Sequence, residues 1–213
     1  VIAGMTGCGK SWNLIDEIKA CLVNNFDTGK KGRPVFLIET NYEDDYIREF
    51  PNTCTAEQIP RIINDTQLGK LAPACYRILP KRKDGLQMNP DEIRSLCVKV
   101  VMSAYNSTVV LDDYDKYGYG SSKTRDMSAI FMSNRHRGQD IIVVHQGIQQ
   151  ISVQEWNNMW MMRLHKTTRS VDVVADRPPN YDLIKLAELI IWEQFNLAEQ
   201  AKEQGLIDEK EWN

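Results

Sequence analysis

The chain opens with VIAGMTGCGKS, residues 1–11, and this stretch decides the fold class. Residues 1–3 are apolar and predict the end of a buried strand, while apolar residues at helical spacing follow Trp12. A GxxxxGKS loop between a strand and a helix predicts a phosphate-binding loop, because its backbone N–H groups and the helix N-terminus attract anions. The predicted nucleotide-binding residues are Gly4, Met5, Thr6, Gly7, Cys8, Gly9, Lys10, Ser11 and Trp12.

Two side chains of this loop have separate predicted roles. Lys10 is expected to reach the β- and γ-phosphates of ATP, and Ser11 is expected to ligate Mg²⁺. A chance glycine-rich turn is the alternative, and the strand and helix on either side argue against it.

A second acidic motif follows the apolar run 109–111, where the chain reads Asp112-Asp113. Mg²⁺ is held through carboxylates, water and nucleotide phosphates, so Asp112 is a candidate metal ligand. Asp113 is the candidate group that activates water beside the γ-phosphate. The alternative is a strand-end turn or a helix cap, since Asp is common at both.

The order of apolar runs and helical patterns predicts an α/β fold with a mostly parallel sheet and helices on both faces. The runs 1–3, 35–38, 75–79, 109–111 and 141–144 are predicted strands, and 159–165 and 171–174 are two further candidates. We expect a P-loop core over residues 1–176 and a helical appendage over 177–213, packed on the core or at a subunit interface.

The appendage is predicted to be one long amphipathic helix from about Tyr181 to Gln204. Its expected apolar stripe packs across the sheet by default, with a subunit contact as the alternative. The stripe consists of Leu183, Leu186, Ile190 and Leu197, widened by Ile191 and Phe195.

The composition limits the class of protein. The 213 residues carry a net charge of −3, with 42% apolar and 26% charged residues, which suits a folded domain of ordinary size. The five cysteines are scattered, which predicts reduced thiols and neither a metal site nor a disulfide framework. We see no transmembrane segment in the sequence. Because the sequence starts inside the first predicted strand, we expect the natural chain to continue upstream.

The stretch from Arg135 to Gln146 adds two predicted features. Gln146 follows the strand 141–144, where a polar side chain can sense the γ-phosphate. Arg135 and Arg137 lie at the end of a helix predicted from about Ser122 to His136. They either favour the dipole at that helix end or act as an arginine finger on a neighbouring subunit.

These motifs in this order resemble the FtsK–HerA superfamily of P-loop ATPases, and most closely the genome-packaging ATPases of icosahedral viruses with an internal membrane. The resemblance rests on the GxxGxGKS loop, VVLDD at 109–113, RHRG at 135–138 with His145-Gln146, and NNMWMMRL at 157–164, and it covers most of residues 1–166. It implies a P-loop NTPase of the additional-strand type that hydrolyses ATP with Mg²⁺. Asp113 replaces a frequent Glu, and His145 stands where a small residue is common.

The resemblance also implies roles and partners. Catalysis is assigned to Lys10, Asp113 as water activator, Gln146 as sensor and Arg137 or Arg135 as the finger in trans, with Ser11 and Asp112 on Mg²⁺. The expected partners are further copies of this chain in a hexameric or pentameric ring, double-stranded DNA, and a capsid vertex or membrane protein. The expected location is the host cytoplasm or the virion.

Several loop residues are candidates for DNA contacts, with a solvated surface or loop packing as the equal alternative. The basic candidates are Lys81, Arg82, Lys83, Lys116, Lys123 and Arg125, and the aromatic ones are Tyr114, Tyr117 and Tyr119.

Two other functions stay open at this point. A filamentous-phage assembly ATPase of the zonula-occludens-toxin-like kind has a similar Arg-His-x-Gly segment and usually a membrane helix after the ATPase domain. A P-loop small-molecule kinase would need an arginine-rich lid, and we find no convincing one.

Overall fold

The computed structural model describes residues 1–27, 29, 31–118, 130–131 and 134–206, with the backbone alone at 134 and 135. The chain divides into two compact units. We call Val1–Trp12 with His145–Asn213 the phosphate-loop unit, and Asn13–Val144 the sheet unit. The division into 1–176 and 177–213 stays a prediction.

The strands form a parallel sheet. In the described residues they are β1 (Ile2–Ala3), β2 (Val35–Ile38), β3 (Thr53–Cys54), β4 (Cys75–Ile78), β5 (Thr108–Leu111), β6 (Asp140–His145) and β7 (Arg163–Leu164). Their order is β3-β4-β2-β5-β6-β1-β7, and every pair with a described register is parallel. Strand β6 separates β5 from β1, which is the additional-strand arrangement. The predicted α/β P-loop NTPase fold is therefore confirmed.

The helices follow the predicted pattern over much of the chain. They are α1 (Lys10–Leu22), α2 (Asp44–Glu49), α3 (Ile59–Gln67), α4 (Pro90–Ser103), α5 (Val153–Asn158) and α6 (Tyr181–Glu203). Helix α4 begins with a capping box formed by Asn89 and Glu92, and Pro90 occupies its first turn. Of the helix predicted over 122–136, residues 122–129 and 132–133 lie outside the described residues, and Asn134–Arg137 is a 3-10 helix.

The core of the sheet unit is built on β2 and β5, whose side chains are all buried. Their register pairs Val35 with Thr108 and Ile38 with Leu111, so both strands end at the same level. Helix α1 buries Leu14, Ile15 and Ile18, which recur at helical spacing. The residues that follow β2 and β5 therefore emerge at the carboxyl edge of the sheet, where ligands bind in such folds.

The phosphate-loop unit has its own core, and one predicted strand within it is wrong. Residues 171–174 form a 3-10 helix, with the Ser170 side chain accepting from the Asp172 N–H at its start. Val171 and Val174 are buried three residues apart, a spacing that lies on one side of such a turn. The Val171 N–H donates to the Glu188 side chain at 2.7 Å, so this N–H does not need a partner on a neighbouring strand.

The prediction that the apolar stripe of α6 packs within the chain is wrong for four of its six residues, while Ile191 and Phe195 are half-buried. The alternative of a subunit contact stays a prediction. Leu183 and Leu186 are exposed at 66% and 54%, and Ile190 and Leu197 are exposed as well. The inner face includes Ile184, which packs against the core of the phosphate-loop unit.

The polar residues of that inner face are satisfied by partners. Buried Glu188 accepts hydrogen bonds from Ser170 and from the Val171 N–H, and Lys185 pairs with it at 2.9 Å. The Lys166 ammonium lies 3.2 Å from the Phe195 ring centroid. Neither α6 nor another described helix is long and apolar enough to cross a membrane.

Candidate functional site

The phosphate loop is held at its start by the two strands beside β1. The Gly4 N–H donates to the carbonyl of His145 at the end of β6, at 3.2 Å, and the Met5 N–H donates to Lys166 after β7, at 2.8 Å. A Cβ on Gly4 would lie 2.5 Å from His165 Cβ, so only glycine allows this approach. Gly7 and Gly9 both adopt left-handed backbone angles, with φ of 77° and 78°.

Lys10 lies at the start of α1 and reaches back over the loop. Its ammonium donates to the carbonyl oxygens of Gly4 and Met5, each at 2.6 Å. Thr6 and Gly7 at the tip are exposed, as is Trp12, while Ser11 is half-buried. The loop therefore has the conformational glycines, the cation and the helix N-terminus that a nucleotide phosphate requires.

His165 supports the loop from β7 and was not identified from the sequence. Its Nδ1 lies 2.9 Å from the Cys8 carbonyl, which can only accept, so we assign the proton to Nδ1. Burial lowers the pKa of His165, and the Lys10 charge adds to this, so the ring is neutral near pH 7. Cys8 itself donates from Sγ to the Met5 carbonyl at 2.8 Å, and burial raises the pKa of its thiol.

Gln146 follows a buried pair that fixes the end of β6. His145 is fully buried, and its Nε2 lies 2.8 Å from Oε1 of Glu155. Burial alone would raise the pKa of Glu155, but hydrogen bonds from His145 and Ser152 outweigh it and lower the pKa. The carbonyl of the same His145 accepts from Gly4, so Gln146 is exposed directly after an anchor of the loop.

In the sheet unit, Asp112 is a buried carboxylate at the end of β5. Burial raises its pKa to about 7, and the charges of Asp113 and Glu43 add to the rise. Its Oδ2 is buried without a hydrogen-bond partner among the described residues. A divalent cation would satisfy both the unpaired oxygen and the unfavourable charge, so this donor fits Mg²⁺. No cluster of three or more metal-ligating side chains occurs in the described part of the chain, so Mg²⁺ would also need nucleotide or water ligands.

Replacing Asp112 by asparagine is expected to stabilise the protein in Mg²⁺-free buffer. The folded-state pKa lies above the value of 3.8 for an unperturbed Asp, so the charged carboxyl destabilises the folded state increasingly from pH 4 to pH 7 and fully above it. We expect Asp112→Asn to raise the free energy of unfolding by about 2–4 kcal/mol near pH 8, and the gain to vanish near pH 4. Chemical denaturation with exposed Asp16→Asn as the control measures this. A variant less stable than wild type at both pH values would contradict the burial argument.

Asp113 has an unusual backbone conformation, and its carboxylate contacts two side chains. Its φ of 45° and ψ of 44° are left-handed, a conformation that Asp and Asn tolerate better than most residues. Its Oδ2 accepts from the Asn41 amide and lies 2.9 Å from Lys116 Nζ. Lys116 also donates to Asn41 Oδ1, so the three side chains form a closed triangle. Asn41 was missed, although a polar residue just beyond β2 obeys the same strand-end rule as Gln146.

Of the two candidate arginines, the structure describes the side chain of Arg137 but not that of Arg135. The Arg137 guanidinium donates to the Val101 carbonyl at 3.2 Å near the end of α4 and lies over the Tyr105 ring. This contact is with the end of α4 and does not test the dipole alternative, which concerned the helix predicted from about Ser122 to His136. The Arg135 side chain lies outside the described atoms.

The aromatic and the basic candidates for DNA contacts differ in their exposure. Tyr114 and Tyr117 are buried and meet edge to face, so they pack the turn after Asp113 rather than offer a stacking surface. Lys81, Arg82 and Lys83 are exposed. Tyr119, Lys123 and Arg125 lie outside the described residues.

Solved structures with a similar fold include two viral genome-packaging enzymes. The genome packaging NTPase B204 from Sulfolobus turreted icosahedral virus 2, in complex with ATP-gammaS, matches with a TM-score of 0.56 and 14% identity over 83% of this chain and 79% of its own. B204, the DNA-packaging ATPase from Sulfolobus turreted icosahedral virus, matches with a TM-score of 0.53 and 14% identity over 83% and 80%.

A third structure is more distant. The N-terminal domain of zonular occludens toxin from Neisseria meningitidis has a TM-score of 0.44 and 17% identity over 78% of this chain and 75% of its own, too low to support an argument. No protein-family model and no curated protein sequence matches this chain. At these identities the likeness shows the fold alone.

Proposed function

We propose that this chain is an ATP-driven motor that moves double-stranded DNA into a viral capsid. The observation that carries the proposal is the phosphate loop, with left-handed Gly7 and Gly9 and with Lys10 folded back over Gly4 and Met5. The buried Asp112 carboxylate at the end of β5, whose Oδ2 has no hydrogen-bond partner among the described residues, supports hydrolysis with Mg²⁺. The packaging function is that of the B204 proteins, which share the fold.

The residues of the loop bind the nucleotide in this proposal. The loop N–H groups and Lys10 hold the β- and γ-phosphates, and Ser11 and Asp112 would hold Mg²⁺. The metal ion supplies positive charge against the phosphate oxygens during transfer. Asp113 accepts the proton of a water whose oxygen bonds to the γ-phosphorus as the bond to the β–γ bridging oxygen breaks, which yields ADP and phosphate. Gln146 contacts the γ-phosphate and reports its loss.

Completion of the site by a neighbouring copy is the second part of the proposal. Arg137 or Arg135 would neutralise transition-state charge on the adjacent subunit, so the chain works as a ring of six or five copies. Among the described residues, Arg137 contacts the Val101 carbonyl, the Met102 sulfur and, at 5.8 Å, the Tyr105 ring. In this proposal it exchanges these contacts for a phosphate. The proposed locations are the host cytoplasm and the virion, with a capsid vertex or membrane protein as docking partner.

Arg137→Ala and Arg135→Ala test the interface. We expect the variant that removes the finger to bind ATP like wild type and to lose hydrolysis by about a thousandfold or more. Mixing it with Asp113→Asn subunits is expected to restore part of the activity, because each mixed interface can combine an intact Asp113 with an intact arginine. Exposed Arg61→Ala is the matched control. Full activity in both single variants would contradict an arginine finger at either position.

A further inference from the structure

The segment between β4 and α4 is a short antiparallel hairpin that we call the basic hairpin, residues 80–88. Lys81 and Gln87 form a bridge, and the N–H groups of Arg82 and Met88 donate to Leu86 and Pro80, each at 2.8 Å. Residues 81–87 are all exposed and include three basic side chains and one acidic one. The hairpin therefore presents a preformed, positively charged tip.

One of its three cations holds the hairpin in place. Arg82 donates from Nε and Nη2 to Oε2 of Glu92, at 3.0 and 2.8 Å. The same oxygen accepts the N–H of Asn89 at the start of α4, so this pair joins the hairpin to the helix cap. Lys83 instead pairs with Glu57 at 3.1 Å, with the two side chains 86% and 59% exposed. Such a pair is weak and can be exchanged for another anion.

The remaining cation, Lys81, contacts Tyr42, which directly follows Asn41 of the triangle formed with Asp113 and Lys116. Its ammonium lies 4.8 Å from the centroid of the Tyr42 ring, and the Tyr42 hydroxyl donates to Gln87 of the hairpin at 2.9 Å. Tyr42 has a φ of 56°, an unfavourable value for a bulky side chain. Surrounding contacts must hold this strained conformation, and those with the hairpin are two of them. The preceding residue, Asn41, donates to Asp113.

We propose that the basic hairpin binds the phosphate backbone of nucleic acid and, through Tyr42, thereby releases Asp113 from the Asn41 amide. The inference rests on the proposed function, in which Asp113 activates water. A phosphate that attracts the Lys81 ammonium removes it from the Tyr42 ring. The turn at Tyr42 then relaxes toward ordinary backbone angles and withdraws the Asn41 amide from Asp113. Nucleic acid thus favours the state in which the carboxylate is available to water.

The chemistry of the hairpin favours phosphate over an acidic protein surface. Lysine ammonium groups bind phosphates as point charges and need no defined geometry, which suits contacts that do not read bases. A protein partner would instead need a buried anchor at its centre. The hairpin exposes one large apolar side chain, Leu86, and no apolar cluster that could serve as such an anchor within residues 80–88.

Binding is tested with linear double-stranded DNA at several salt concentrations. We expect the double variant Lys81→Ala/Lys83→Ala to bind DNA more weakly. The negative slope of log affinity against log salt should become shallower by about 2, one for each lost phosphate contact. Arg61→Ala with Lys70→Ala removes the same charge from exposed positions on and just beyond α3 and is expected to keep the wild-type slope. Equal slopes in the two double variants would overturn the assignment of the hairpin. Tighter binding of polyglutamate than of DNA would overturn the choice of partner.

Coupling is tested by ATP hydrolysis with and without the same DNA. Lys81→Ala is expected to raise the DNA-free rate, because it removes the contact that holds Tyr42, whereas Lys83→Ala is not. Tyr42→Leu is expected to bind DNA normally and to gain little further rate from it. Normal stimulation of Tyr42→Leu would overturn the coupling. A wild-type protein that DNA does not stimulate would contradict the proposed function, whereas stimulation that is unchanged in all three variants would overturn this inference alone.

Discussion

Lys10→Ala is expected to lower ATP hydrolysis by about a hundred- to a thousandfold, the usual cost of removing a preorganised charge from a transition state. The Lys10 ammonium lies within 2.6 Å of the Gly4 and Met5 carbonyls and is the cation that the loop offers to phosphate oxygens. Its loss also removes a donor from both carbonyls and takes away the positive charge that attracts the phosphates, so ATP binding falls as well. Steady-state hydrolysis and calorimetric ATP binding measure the two effects.

The control for this variant is Lys99→Ala, which removes an exposed charge from α4. It is expected to hydrolyse ATP at the wild-type rate. Hydrolysis within a few-fold of wild type in Lys10→Ala would contradict the assignment of this loop as the catalytic phosphate site, since no other group in the motif can supply the charge.

Asp113→Asn is expected to lower hydrolysis by about a hundred- to a ten-thousandfold while ATP binding stays intact, because it removes only the general base. Asparagine suits the left-handed backbone at this position as well as aspartate does, so the fold should tolerate the change. The amide can still accept from Asn41 but no longer pairs with the Lys116 charge. Single-turnover hydrolysis with saturating ATP measures the loss.

The matched control for Asp113→Asn is Asp115→Asn, in the same turn. If Asp113 is the base, Asp115→Asn hydrolyses ATP like wild type. If both variants are fully active, another group activates the water, and the triangle of Asp113, Asn41 and Lys116 has only a structural role.

The sequence predicted the strands best where a run is buried on both faces. Residues 35–38 became β2 with the predicted bounds, β5 begins one residue earlier than predicted, and β6 is longer by one residue at each end. A short run that is apolar on both faces is stable as a strand inside a sheet that helices cover on both sides. The glycine loop then identifies the strand that carries the phosphate site. These local patterns were sufficient for the fold class.

Contacts that depend on tertiary structure could not be predicted in this way. The face of α6 was misassigned because its inner side carries Lys185 and Glu188, which look solvent-exposed until Ser170 and the Val171 N–H are brought to them. Asn41 follows β2 in a turn with a strained Tyr42, and nothing local indicates its bond to Asp113.

His165, which supports the phosphate loop at Cys8, is another contact that the sequence could not predict. It lies far from the glycine loop in sequence, and only the pairing of β1 with β7 brings it to Cys8. The roles proposed for Arg137 and Arg135 remain predictions, because a contact in trans is a property of the assembly.

The central claim is an ATPase site that is completed between subunits and coupled to DNA. Steady-state ATP hydrolysis as a function of protein concentration, with and without linear double-stranded DNA, tests it most directly. We predict a specific activity that climbs with protein concentration and rises further when DNA is added. A specific activity that is flat with concentration and unchanged by DNA would contradict the account, because it would mean a self-sufficient active site.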